Sequence, residues 1–179
     1  MIQMPPISSW DALHPLIIHF PIALLLIVPI FVLIGALLRD NRGRSFLMAA
    51  LLMMVLGTAS TFVAVSTGKV AGQLAERSPQ VNAVLEQHEE LAESTRIVFS
   101  ALTILFAALL FAPKLLNKPP SRMMTEALPL LLLVLYGAGT ILLINTAHNG
   151  GRLVHELGVR AMVAPSPEPP VRNPGERGD

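Results

Sequence analysis

No cysteine occurs anywhere in the 179 residues. Disulfides, thiolate metal sites, iron–sulfur ligation and the thioether attachment of a c-type haem are therefore excluded within this chain. Charge is scarce too. Charged residues make up 14% against 53% hydrophobic, and the mean hydropathy of +0.60 points to an integral membrane protein, not a soluble domain. The net charge is only +1. Neither a basic run nor basic–aromatic interleaving is present, so nothing favours a nucleic-acid partner. With thiolates gone, histidine is the strongest remaining ligand for a borderline metal, and the chain has 5. The 8 methionines are scattered and read as packing.

What the chain does have is four apolar stretches near the roughly 20 residues needed to cross a hydrocarbon core. They run Leu16–Leu38, Phe46–Ser66, Arg96–Ala112 and Ala127–Ile144, the third being the shortest. The expected fold class is all-α, an integral membrane four-helix bundle. No Lys or Arg precedes the first stretch and no small-x-small cleavage site follows it, so it reads as a retained helix and not a secretory signal.

The connections separate by charge. Arg39, Asp40, Arg42 and Arg44 join the first two spans, and Lys114, Lys118 and Arg122 join the last two. Both loops are short and basic, which predicts a cytoplasmic side. The connection between spans two and three sets Lys69 and Arg77 against Glu76, Glu86, Glu89, Glu90 and Glu93. The positive-inside rule puts this acidic connection and both termini on the periplasmic side of a bacterial inner membrane. Within it, apolar Val70, Leu74, Val81, Val84, Leu85 and Leu91 alternate with charge around Pro79. That pattern predicts two short amphipathic helices. The stretch from Pro165 to Asp179 is rich in Pro, Glu, Arg and Gly, which divides the chain into a membrane domain, 1–164, and a disordered tail, 165–179.

All five histidines fall on the outer side of this layout. An imidazole near lipid is costly unless it is hydrogen-bonded, faces water or binds a metal. His14 and His19 flank the entry of the first span in His14-Pro15-Leu16-Ile17-Ile18-His19-Phe20-Pro21. Five residues apart on a helix, they differ by about 140° in direction and about 7.5 Å in depth, so they do not chelate one small ion together. His88 precedes the third span, while His148 and His155 follow the fourth. The intervening Asn149-Gly150-Gly151 predicts a helix end or sharp turn. For His88 or His148 alone, a solvated side chain is the simpler reading; for Glu89, Glu90 and Glu93 it is an exposed helix face. Arg96 and Arg152 lie at the same boundary, where they either snorkel to headgroups or pair with haem propionates.

Small residues supply a second signal. Gly57-Thr58-Ala59-Ser60, Ser66-Thr67-Gly68, Gly72 and Gly137-Ala138-Gly139-Thr140 permit close approach of helix backbones or of a flat macrocycle.

The run His14-Pro15-Leu16-Ile17-Ile18-His19-Phe20-Pro21-Ile22-Ala23-Leu24, with Ser66-Thr67-Gly68, His88 and Gly150-Gly151-Arg152-Leu153-Val154-His155-Glu156-Leu157-Gly158-Val159, resembles the bacterial DUF2231 family of four-helix membrane domains. The resemblance covers nearly everything but the tail. It implies an architecture similar to four-helix b-type cytochromes, and fusions to Rieske iron–sulfur or cytochrome c domains imply membrane electron transfer. Carried over, the family's histidine pattern falls on His14, His19, His88 and His155. The inner half of this chain has no histidine, which departs from bundles that carry haems at both faces.

The expectation is an electron carrier, not a catalyst of substrate chemistry. One or two b-type haems would be held near the periplasmic face by His19 with His88 or His155, leaving His14 for a second haem or a supporting role. Electrons would pass between the quinone pool or an iron–sulfur or cytochrome c partner and a periplasmic acceptor, within a larger membrane complex. Two other classes stay open: a zinc or copper site using imidazoles with Glu89 or Glu156, and a cofactor-free accessory subunit.

Overall fold

A computed structural model describes residues 10–38, 41–117, 121 and 123–159. The tail expected over 165–179 lies outside them, as do Arg39, Asp40, Lys118 and Arg122. The described chain is helical: a 3-10 turn Asp11–Leu13, then α1 (His14–Ile17), α2 (His19–Leu37), α3 (Asn41–Leu74), α4 (Pro79–Leu115), a π-turn Met123–Ala127, and α5 (Leu128–His155). Counting α1 and α2 as one span, four helices are long and apolar enough to cross a membrane. Helix meets what lipid demands of such long apolar runs, because it pairs every backbone N–H and C=O within its own segment.

Proline sets the local departures. Pro21 has no N–H for the carbonyl of Ile17, and the helix is interrupted at Ile18 between α1 and α2. Pro29, inside α2, likewise deprives the Leu25 carbonyl of its helical donor. The Tyr136 hydroxyl of α5 donates to that carbonyl at 2.8 Å, so the orphan becomes a tie between helices.

Around the bundle, α2 packs on α3, α3 on α4, α4 on α5 and α5 on α2. This closed ring leaves α2 and α4 on one diagonal, α3 and α5 on the other. The core between them is apolar, with Leu25, Val28, Met54, Phe99, Phe106 and Tyr136 all almost fully buried. Polar cross-links run through it, among them Thr58 Oγ1 to Thr103 Oγ1 at 2.9 Å. Large apolar side chains such as Leu52, Ile104, Val134 and Ile141 cover the outside, as a lipid-facing surface requires.

The expected pair of short amphipathic helices does not form. Its residues instead lengthen α3 and α4, and only Ala75–Ser78 connect them. Ser78 caps α4, accepting from the Val81 amide, and Pro79 occupies the first turn, where its missing N–H costs nothing. At 34 and 37 residues these helices reach about 50–55 Å, against a hydrocarbon core of roughly 30 Å. Their charged ends therefore stand clear of the membrane. There Val81, Val84 and Leu85 of α4 bury against Leu153, Leu157 and Val159 at the end of α5. This second apolar cluster roofs the bundle.

Candidate functional site

Between the main core and the roof lies a cavity of about 370 Å³. All four spans contribute to its wall. His14 comes from α1, His88 from α4 and His155 from the last turn of α5, and all three line it. Most of the remaining wall is small or apolar, as at Ile18, Ala64, Val65, Leu85 and Leu143.

His14 and His88 are held in the same way. His14 Nδ1 lies 3.0 Å from Thr67 Oγ1 of α3. The Thr67 hydroxyl proton is already directed to the carbonyls of Val63 and Ala64, at 3.0 and 3.1 Å. With the imidazole as donor, Nδ1 carries the proton and the Thr67 hydroxyl keeps its own for a carbonyl, which satisfies every group in the network. His88 Nδ1 lies 2.9 Å from the Thr146 carbonyl of α5, which can only accept, so this ring has the same tautomer. Thr146 is steadied in turn by its own hydroxyl, which donates to the Leu142 carbonyl and meets Thr95 Oγ1 at 2.8 Å.

Each ring reaches its partner because the facing helix has no side chain in the way. A Cβ on Gly68 would stand 2.8 Å from His14 Cε1, and one on Gly150 would stand 3.0 Å from His88 Cε1. Both fall short of ordinary contact. Two imidazoles from one diagonal thus rest on two glycines of the other, each with Nδ1 tied to protein. Among the described residues neither Nε2 has a hydrogen-bond partner and no buried side-chain nitrogen or oxygen lacks one, so each Nε2 opens onto accessible space.

Compared with known families, residues 10–162 match the one described as a predicted membrane protein, DUF2231. The chain belongs to the DUF2231 family. No curated protein and no solved structure matches it.

In this DUF2231 chain the remaining candidates separate from the cavity. His19 and His148 are exposed and do not line it. The pairing favoured from sequence, His19 with His88 or His155, is thus not gathered at this cavity, which His14, His88 and His155 line together. The reason is angular: with His14 turned inward, a residue about 140° further round the helix faces out. Arg96 lies over the Phe62 ring, 5.3 Å from its centroid, and Arg152 pairs with Glu156 at 3.1 Å. Neither arginine lines the cavity.

Contrary to the expected turn, α5 of the DUF2231 chain runs straight through Asn149-Gly150-Gly151. Asn149 is buried and donates to the Asn145 carbonyl, and Gly150 serves as the seat of His88. The helix ends later, at His155, beyond which Gly158 takes φ 69°. Thr67, Gly68 and Gly150, expected to permit close approach or to end a helix, serve instead as partners and seats of the imidazoles, and Thr146 is the site residue that carries no sequence signal. The signal of the other three is depth: Ser66-Thr67-Gly68 and Gly150-Gly151 lie at the same bundle end as the imidazoles.

Among the described residues no group of three or more His, Asp or Glu is disposed to hold a metal ion. A second cavity, of about 380 Å³, lies at the opposite end between α4 and α5. Leu105, Leu109, Met124 and Leu128 are among its lining residues, and it has no histidine.

Proposed function

We propose that the cavity between His14 and His88 takes one b-type haem, and that the protein carries electrons at the periplasmic face of the inner membrane. The observation that carries this reading is the matched pair of imidazoles. Two histidines on diagonal helices face one cavity, each with Nδ1 engaged by protein and Nε2 without a partner among the described residues. Metal-binding histidines characteristically give their other ring N–H to a carbonyl or similar acceptor, which fixes tautomer and orientation. The residues fit the group. Axial coordination of haem iron asks for just two protein ligands, whereas a tetrahedral zinc site asks for three or four. The cavity volume also lies within the roughly 300–1,000 Å³ of small-molecule sites.

Bound there, haem supplies one reversible electron. The chain's own residues do the rest. His14 and His88 would hold it, with Thr67 and the Thr146 carbonyl fixing their ring planes and Gly68 and Gly150 leaving room for the rings. Ile18, Val65, Leu85 and Leu143 exclude water, which tunes the potential. Of the two cavities described, one has imidazoles, so one haem is proposed, not a wire across the membrane. The histidine-bearing end also carries the acidic connection, while the basic loops lie at the other, which supports a periplasmic site with both termini outside. The partners proposed are the quinone pool and an iron–sulfur or cytochrome c domain, within a larger membrane complex.

The test is an absorption spectrum of the purified protein, oxidised and then reduced. Sharp visible bands of a low-spin, six-coordinate haem are expected, lost in both His14→Ala and His88→Ala. A protein that takes up no haem, or that keeps a full spectrum in either variant, overturns the reading.

A further inference from the structure

Resting on the haem reading above, we infer that Lys69 and His155 hold the two carboxylates on the edge of the bound haem. Lys69, Arg77, Arg96 and Arg152 are the lysine and arginine side chains described at this end of the bundle, and three of them are committed elsewhere. Arg77 donates to the Gly72 carbonyl and to Asn82, Arg96 covers Phe62, and Arg152 is bound to Glu156 and Asn149. Of the four, Lys69 alone lines the cavity. It forms an ion pair with Glu93, which does not line the cavity, so a single competitor stands between its ammonium and a ligand. His155 lines the cavity from the last turn of α5, exposed, and makes no hydrogen bond or ion pair with a described residue.

Topology puts these two donors where a carboxylate edge would lie. The ligating imidazoles come from one diagonal of the ring of helices, so a planar ligand held between them turns its rim toward the other. Lys69 and His155 stand on that other diagonal, on α3 and α5. Each lies just outward of a seat glycine, Lys69 one residue after Gly68 and His155 five after Gly150. Glu89 also lines the cavity, and its carboxylate would repel a doubly anionic edge unless cations stood beside it. The arginines expected to serve as propionate partners, Arg96 and Arg152, are displaced from this role by their own contacts.

The test compares haem b with its dimethyl ester, which has no free carboxylates, titrated into the full chain in detergent. Lys69→Met and His155→Leu should each weaken haem b about fivefold, the scale of a solvent-exposed charge-assisted contact, and leave the low-spin spectrum unchanged. Glu93→Gln, which frees Lys69, should tighten it. None of the three should alter affinity for the ester. Unchanged haem b affinity in both Lys69→Met and His155→Leu, or equal losses for haem b and ester, overturns the inference. So does loss of the low-spin spectrum in His155→Leu, which would make His155 an axial ligand. If wild-type protein binds neither compound, the haem reading itself fails, a result distinct from either of these.

Discussion

Gly68→Ala separates the site from the fold more sharply than any histidine replacement. The added methyl would stand 2.8 Å from His14 Cε1, where 3.4 Å begins ordinary contact, so the ring must move by about 0.6 Å. The hydrogen bond from His14 to Thr67 is 3.0 Å long, and stretched by that amount it no longer counts as one. The helix itself gains about 1 kcal/mol in propensity from Gly to Ala, against about 1–3 kcal/mol for overpacking. The net is a loss of about 0–2 kcal/mol. The melting temperature in detergent should therefore fall only modestly, while haem affinity falls about 10- to 100-fold, as when the orienting partner of a metal-bound histidine is lost. Gly137→Ala is the control, since nothing lies within 4 Å of its added methyl. Haem titration followed by absorbance reads the effect. Wild-type affinity and spectrum in Gly68→Ala would refute the claim that this glycine is the seat of a ligating imidazole.

Tyr136→Phe should destabilise the bundle by about 1–3 kcal/mol, because the Leu25 carbonyl is left buried without a donor. Pro29→Ala should restore that donor and recover most of the loss in thermal unfolding, a rescue that a simple packing defect would not show. His19→Ala and His148→Ala should leave haem binding at the wild-type level, since both rings are exposed and outside the cavity; a lost spectrum in either would return that residue to the ligand set. The absence of cysteine makes single-cysteine labelling clean. Gln80→Cys should react with a membrane-impermeant maleimide on intact spheroplasts and Leu116→Cys only after permeabilisation, and the reverse pattern would invert the topology.

Much of this architecture can be read before any coordinates, and the misreadings have physical causes. The spans are legible because lipid demands long unbroken apolar runs, and Leu16–Leu38 differs from the observed first span by only a residue or two at each end. Their outer ends are less so. Val81, Val84 and Leu85 recur at helical spacing whether they lie on a membrane surface or roof a bundle, and the choice depends on Leu153 and Val159, some 70 residues away. Asn149-Gly150-Gly151 carries a strong local signal for stopping a helix, which tertiary packing overrides because His88 occupies the space a side chain would take. The choice between His14 and His19 is of the same kind. Spacing says that they face apart, but only Thr67 and Gly68 on the neighbouring helix decide which one faces in.

The central claim is that His14 and His88 are a ligand pair. Titrating haem into wild type, His14→Ala, His88→Ala and His19→Ala, with magnetic circular dichroism in the near infrared to identify the axial ligands, tests it most directly. The account predicts one haem per chain with two imidazole ligands in wild type and His19→Ala, and loss of that signature in the other two. A bis-imidazole signal that survives in His14→Ala or His88→Ala, or its absence from the wild-type protein, would contradict it.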